Sequence, residues 1–169
     1  MTEIVNKVAG SGLITLKMED FAPDAEVLSF DLADYLYKGL ILREKDFREA
    51  LKEFDWEQYS GKYLSVHCSA DAIIPMWAWM LVAVQASPYV VSVVQSEPEE
   101  ADEQLIMAKI QALDLTPYED QRVVVKGCAE REIPRSAYAA IAARLTPVVK
   151  SLMFGEPCST VPLYKKPRK

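Results

Sequence analysis

The chain has 169 residues, half of them hydrophobic, with 19 basic against 25 acidic residues and a formal net charge of −6. That composition excludes a disordered tail, a collagen-like fibre and a coiled coil, and the length suits a domain that buries its core without disulfide staples. A compact acidic chain repels phosphate backbones, so no nucleic-acid partner is expected.

The opening residues Met1 to Lys7 lack the apolar run and cleavage site of a signal peptide. The longest apolar run, Ala72 to Val84, is interrupted by Pro75 and falls short of the roughly 20 residues a membrane span needs. The expectation is a cytoplasmic protein with no membrane partner, its three cysteines held as thiols. An odd cysteine count also argues against a disulfide framework. No internal repeat, low-complexity segment or linker stands out, since proline and glycine are scattered singly. The reading is one domain over 1–169: an N-terminal α+β layer over 1–60, a βαβαβαβ core over 61–164 and a basic tail over 165–169. Such a tail reads as a solvated end.

In chain order, Leu13 to Leu16 and Val27 to Phe30 read as short strands. Asp31 can cap a short helix through Tyr37, with Gly39 as its stop. Glu44 to Phe54 places Phe47, Ala50, Leu51 and Phe54 on one helical face. Tyr63 to Cys68 is a strand, Ile73 to Ala86 a helix apolar nearly all round, and Val90 to Gln95 a strand. Glu99 to Leu113 is a helix opened by Pro98 and acidic in its first turn, where Glu97, Glu99, Glu100, Asp102 and Glu103 read as a solvated end. Val123 to Cys128 is a strand, Arg135 to Leu145 a helix between Pro134 and Pro147, and Val148 to Phe154 a last strand. The strand starts are spaced like βαβ units, and the Val-rich runs do not alternate with polar residues. The predicted fold is α/β: three layers around a mostly parallel central sheet, with an N-terminal α+β addition on an edge.

Ligands of open parallel sheets bind beyond the carboxyl ends of the strands. All three cysteines, Cys68, Cys128 and Cys158, fall just after predicted strands. Three converging thiolates would make a soft site for zinc, copper(I), iron or an iron–sulfur cluster. Glu156 is the leading fourth ligand; Asp71, His67 or an exogenous molecule are alternatives. His67 and Cys68 point to opposite faces if the strand continues through both. The spacings are long and no C-x-x-C pair is present, and cysteine also serves as a small buried hydrophobe. The first expectation is therefore a metal- or iron–sulfur-binding accessory protein with a site of Cys68, Cys128, Cys158 and Glu156.

The alternative is a protein-interaction module or homodimer with packed cysteines, docking through the Ile73 to Ala86 helix or the basic tail. Trp77, Trp79, Tyr89, Met76 and Met80 then belong to a core or a dimer interface. A third reading is a cysteine-dependent enzyme or redox protein using Cys68 or Cys128 at a helix start. Nucleotide binding has only Gly10-Ser11-Gly12, ahead of a strand instead of after one. Serine hydrolysis lacks a G-x-S-x-G elbow.

The segments His67 to Pro75, Val123 to Cys128 and Lys150 to Pro162, with Glu3 to Val8 and Gly39 to Arg48, resemble a bacterial family, domain of unknown function 2480. The likeness covers essentially the whole chain, and Phe154 to Val161 is its most specific part. It transfers no catalytic residue. It implies a small cytoplasmic bacterial protein with relatives encoded near iron–sulfur assembly genes, which suits an accessory thiolate site.

Overall fold

The computed structural model describes residues 12–127 and 131–167. Among these the elements run β1 (Leu13–Lys17), β2 (Val27–Asp31), β3 (Leu36–Tyr37), β4 (Ile41–Leu42), α1 (Glu44–Glu53), β5 (Tyr63–His67), α2 (Met76–Ala86) and β6 (Ser92–Gln95). They continue with α3 (Ala101–Ala112), β7 (Arg122–Lys126), α4 (Arg135–Leu145), β8 (Ser151–Glu156) and β9 (Ser159–Lys165). The fold is α/β with largely parallel pairing. Continuous burial of β5 and the buried Val123, Val124 and Val125 of β7 fit strands covered on both faces.

The strands divide between two sheets, ordered β1-β7-β8-β9 and β2-β5-β6, with β3 and β4 as a separate hairpin. The spacing of strand starts suggests one central sheet instead. Spacing reports each strand–helix–strand unit, but not whether one unit's last strand pairs with the next unit's first. The chain correspondingly forms two compact units. The central unit runs from Pro23 to Leu105, and the terminal unit takes the chain up to Ala22 and from Ile106 onward.

The two units are copies of one pattern. Residues 54–98 and 113–157 align without a gap at a separation of 59. Ile74-Pro75 matches Ile133-Pro134, Pro88 matches Pro147, Ser92 matches Ser151, and Glu97-Pro98 matches Glu156-Pro157. Backbone hydrogen bonds repeat as well. The Gly61 amide donates to Tyr89 O at 3.0 Å, and the Asp120 amide to Val148 O at 2.9 Å. Both residues have positive φ, 71° and 52°. Asp55 and Asp114 each accept from the amide two residues on, Asp55 as the cap of its 3-10 turn and Asp114 one residue ahead of the matched turn's cap position. Ala78, Val82 and Ala86 of α2 and their matches Ala137, Ile141 and Leu145 of α4 are all fully buried. Phe47 and Leu51 of α1 match Ile106 and Ile110 of α3, each pair buried in its own unit's core. The strand that opens each sheet, β1 or β2, leads into a 3-10 turn whose first residue, Met18 or Leu32, is fully buried.

This internal repeat corrects the expectation of none. Thirteen of the 45 aligned pairs are identical, among them the prolines that start or stop α2 and α4 and the aspartates Asp55 and Asp114. At other core positions, such as Val82 and Ile141 or Leu51 and Ile110, burial is kept while residue type changes, as cores tolerate when volume is kept.

Other differences are local. Asp31 does cap, its Oδ1 accepting from Ala33 N at 2.8 Å, but it opens one 3-10 turn, after which the chain enters β3. The predicted helix from Ile73 starts at Met76, after Pro75. Lys165 ends β9, and the Lys166 amide donates to Lys150 O, so the tail begins as sheet.

Candidate functional site

The carboxyl ends of the matched strands carry different chemistry in the two units. In the central unit, Asp31 and His67 end β2 and β5 and are register partners. Asp31 Oδ1 accepts from Ser69 N at 3.0 Å, and Oδ2 accepts from Ser69 Oγ at 2.5 Å. Burial pushes the Asp31 carboxyl up, but the Ser69 hydroxyl, the Ala33 and Ser69 amides and nearby His67 together hold it below its ordinary value. His67 Nδ1 lies 3.4 Å from Glu97 Oε2, an ion pair when the imidazole is protonated. That nitrogen is buried and makes no aligned hydrogen bond. Beneath it, Ser65 Oγ donates to Ser96 O at 2.7 Å. In the terminal unit, Lys17 and Lys126 are the register partners at the same strand ends. Lys126 Nζ reaches Glu156 Oε2 at 3.0 Å, the counterpart of the His67–Glu97 pair.

The predicted ligands are distributed as follows. Cys68 follows β5 in the central unit, half-buried against that unit's core, with its thiol donating to Ala70 O at 3.5 Å. Cys158 is exposed in the turn between β8 and β9 of the terminal unit. Cys128 lies outside the described residues. Glu156 is in the terminal unit, engaged by Lys126, and Asp71 is exposed in the central unit. Among the described residues, no three His, Cys, Asp or Glu side chains gather where they could hold a metal ion. Cys68 matches Gly127 in the repeat and Ser69 matches Cys128, so the thiols are not duplicated positions. Gly127 does permit a close approach: a Cβ there would sit 2.6 Å from Tyr138 Oη.

The sharper contrast lies on the outer faces of the matched helices. On α2 and the residues leading into it, Ile73, Met76, Met80 and Val84 are 93%, 74%, 68% and 64% exposed. Their spacing makes one stripe along the helix. The matched residues beside and on α4 are Glu132, Arg135, Ala139 and Ala143, also exposed. Of this helix, read as apolar nearly all round, the inner face of Ala78, Val82 and Ala86 is buried and the stripe of Met76, Met80 and Val84 is exposed.

Beside each helix runs a matched apolar groove. In the terminal unit it has a volume of about 340 Å³ and is lined by Val125, Tyr138, Ile141, Ala142 and Phe154, with Val161 and Leu163 of β9 as its far wall. In the central unit it has a volume of about 280 Å³ and is lined by Val66, Trp79, Met80, Ala83, Val93, Val94 and Gln95. There the position of β9 is open: among the described residues, no strand pairs with the outer edge of β6. The divergence starts at one residue pair. Gly155 has φ +125°, and a Cβ on it would meet Ser159 O at 2.6 Å, so the fold-back into β9 requires glycine. Its match Ser96 is buried on Ser65, and the chain continues past Pro98 into α3. Sequence reading misses the β6 edge; the signal that reveals it is the 59-residue register, with β9 present on one side only.

No helix among the described residues is long and apolar enough to cross a membrane. No curated protein and no solved structure matches the chain. The model for a protein family of unknown function, DUF2480, matches residues 2–166. The motif resemblance thus extends over nearly the whole length, and the chain belongs to the DUF2480 family.

Proposed function

We propose that this protein is an interaction module whose central unit docks a protein partner on the outer face of α2 and the adjoining β6 edge. One observation carries the reading. Two helices of one chain share position, caps and buried face, yet only α2 exposes a long apolar stripe where α4 exposes charged and small residues. The fold therefore does not require the stripe, and an exposed contiguous apolar surface is the usual mark of a binding site. A photo-crosslinking residue placed at Met80 in cells, with Ala139 as the matched control, tests it. Protein adducts from position 80 that are absent from position 139 support docking; equal or no labelling at both overturns it.

The thiolate site is the second reading, supported by Cys68 at a sheet's carboxyl end beside His67. Metal and labile-sulfide analysis of protein purified without oxygen tests it. A triple Cys→Ser variant that keeps the same metal content would remove it.

A further inference from the structure

The open β6 edge and the α2 stripe lie side by side in one unit, and a single occupant can cover both. We infer that this occupant is a second copy of the same chain, joined by antiparallel pairing of β6 with β6 and by α2 packing on α2 across a twofold axis. The inference rests on the docking reading above and names its partner.

Three observations favour a second copy. First, the terminal unit shows what completes this sheet. There an antiparallel strand, β9, pairs with β8, the strand matched to β6, and its Val161 and Leu163 wall the groove. Among the described residues, the central sheet lacks that strand, and its groove has no such wall. Second, the two sheet edges are guarded differently. Natural edges are blunted by proline, lysine and bulges. β9 carries Pro162 and Lys165, and a register shift at Leu152/Met153 breaks its ladder with β8. The β6 sequence Ser-Val-Val-Gln has none of these devices. Third, the surface is charge-free in a chain of net charge −6. Neither β6 nor α2 contains a charged residue. Every residue on a twofold interface also meets its partner's copy of the same patch, so a charged face would repel itself, whereas this one does not. Antiparallel strand addition would satisfy the edge's free backbone groups. The same twofold axis would bring Met76, Met80 and Val84 of each copy towards the other's apolar stripe.

Sedimentation velocity of the full chain over a rising concentration series tests this, with circular dichroism to confirm that each variant is folded. The variants are Met80→Glu on the helix face, Ser92→Lys with Gln95→Lys on the strand edge, and Ala139→Glu on α4 as the matched control. The expected result is a wild-type dimer, weakened by about tenfold or more in the first two variants and unchanged in the control. A wild-type chain that stays monomeric throughout overturns the inference. The docking reading then survives only if position 80 crosslinks a different protein. A dimer indifferent to both test variants places the interface elsewhere and also overturns it. A dimer broken by Met80→Glu but not by the edge lysines removes the strand pairing.

Discussion

The central and terminal units answer the same architectural problem with different endings. Each opens with a strand and a 3-10 turn, buries one helix through Phe47 and Leu51 or Ile106 and Ile110, and then builds a strand–helix–strand core. At the last strand they part. The terminal unit turns back at Gly155 and adds β9 along β8, so that Val161 and Leu163 wall its groove, whereas the central unit runs on from Ser96 and, among the described residues, no strand pairs with the outer edge of β6. The terminal unit thus acts as an internal control, since a feature present in both copies serves the fold and a feature in one copy needs another explanation. By that criterion the buried Ala78, Val82 and Ala86 of α2 are structural, whereas the Met76 and Met80 stripe is not.

The largest effects should follow shared structure. Leu51→Ala and Ile110→Ala each remove a side chain that is at most 1% exposed, and each should cost about 2–5 kcal/mol of stability in denaturant titration. A cost near zero in either would show that the matched core position does not do the same work.

Next comes the point of divergence. Gly155→Ala sets a side chain against the Ser159 carbonyl at an unfavourable φ and should cost about 1–3 kcal/mol. Hydrogen exchange should report its loss first in β8 and β9. Ser65→Ala in the central unit removes the donor to Ser96 O and should cost about 1 kcal/mol, without disturbing β8 or β9.

Asp31→Ala loses the cap on Ala33 and both bonds from Ser69, for a cost of about 1 kcal/mol at neutral pH. The sign with pH is fixed by the lowered native value of this carboxyl. Its contribution is complete above the ordinary carboxylate range and is lost as pH falls through the native value. Wild type and variant should therefore converge in stability in acid, and a gap that widens there would contradict the assignment.

The smallest effect belongs to Asp120→Asn. Its pairing with Lys166 is fully exposed, and exposed pairs contribute little. Thermal midpoints of variant and wild type should coincide.

Much of the local structure was legible in the residues. Val-rich runs located β6 and β7, prolines at 98 and 134 marked the entries to α3 and α4, and Asp31 located a cap. The separation into two sheets was not legible, because strand pairing is a non-local choice that helix and strand periods do not encode. The repeat was hidden for a related reason. Burial conserves volume and apolarity, so Val82 and Ile141 are equivalent in space without being identical in type. The candidate site was legible in part. Sequence spacing placed Cys68 and Glu156 at strand ends, but could not assign them to different units. It marked Ile73 to Ala86 as apolar all round without showing which face stays exposed, since that depends on what the tertiary structure covers.

The central claim is that the β6 edge and the α2 stripe form an open docking face, whereas the matched edge of β8 is already filled from within. Hydrogen exchange of Ser92–Gln95 and of β8, measured at low and high protein concentration, addresses it most directly. The account predicts that protection of Ser92–Gln95 rises with concentration while β8 stays constant. Constant exchange at Ser92–Gln95 across the series would contradict the pairing of this face with a second copy of the chain.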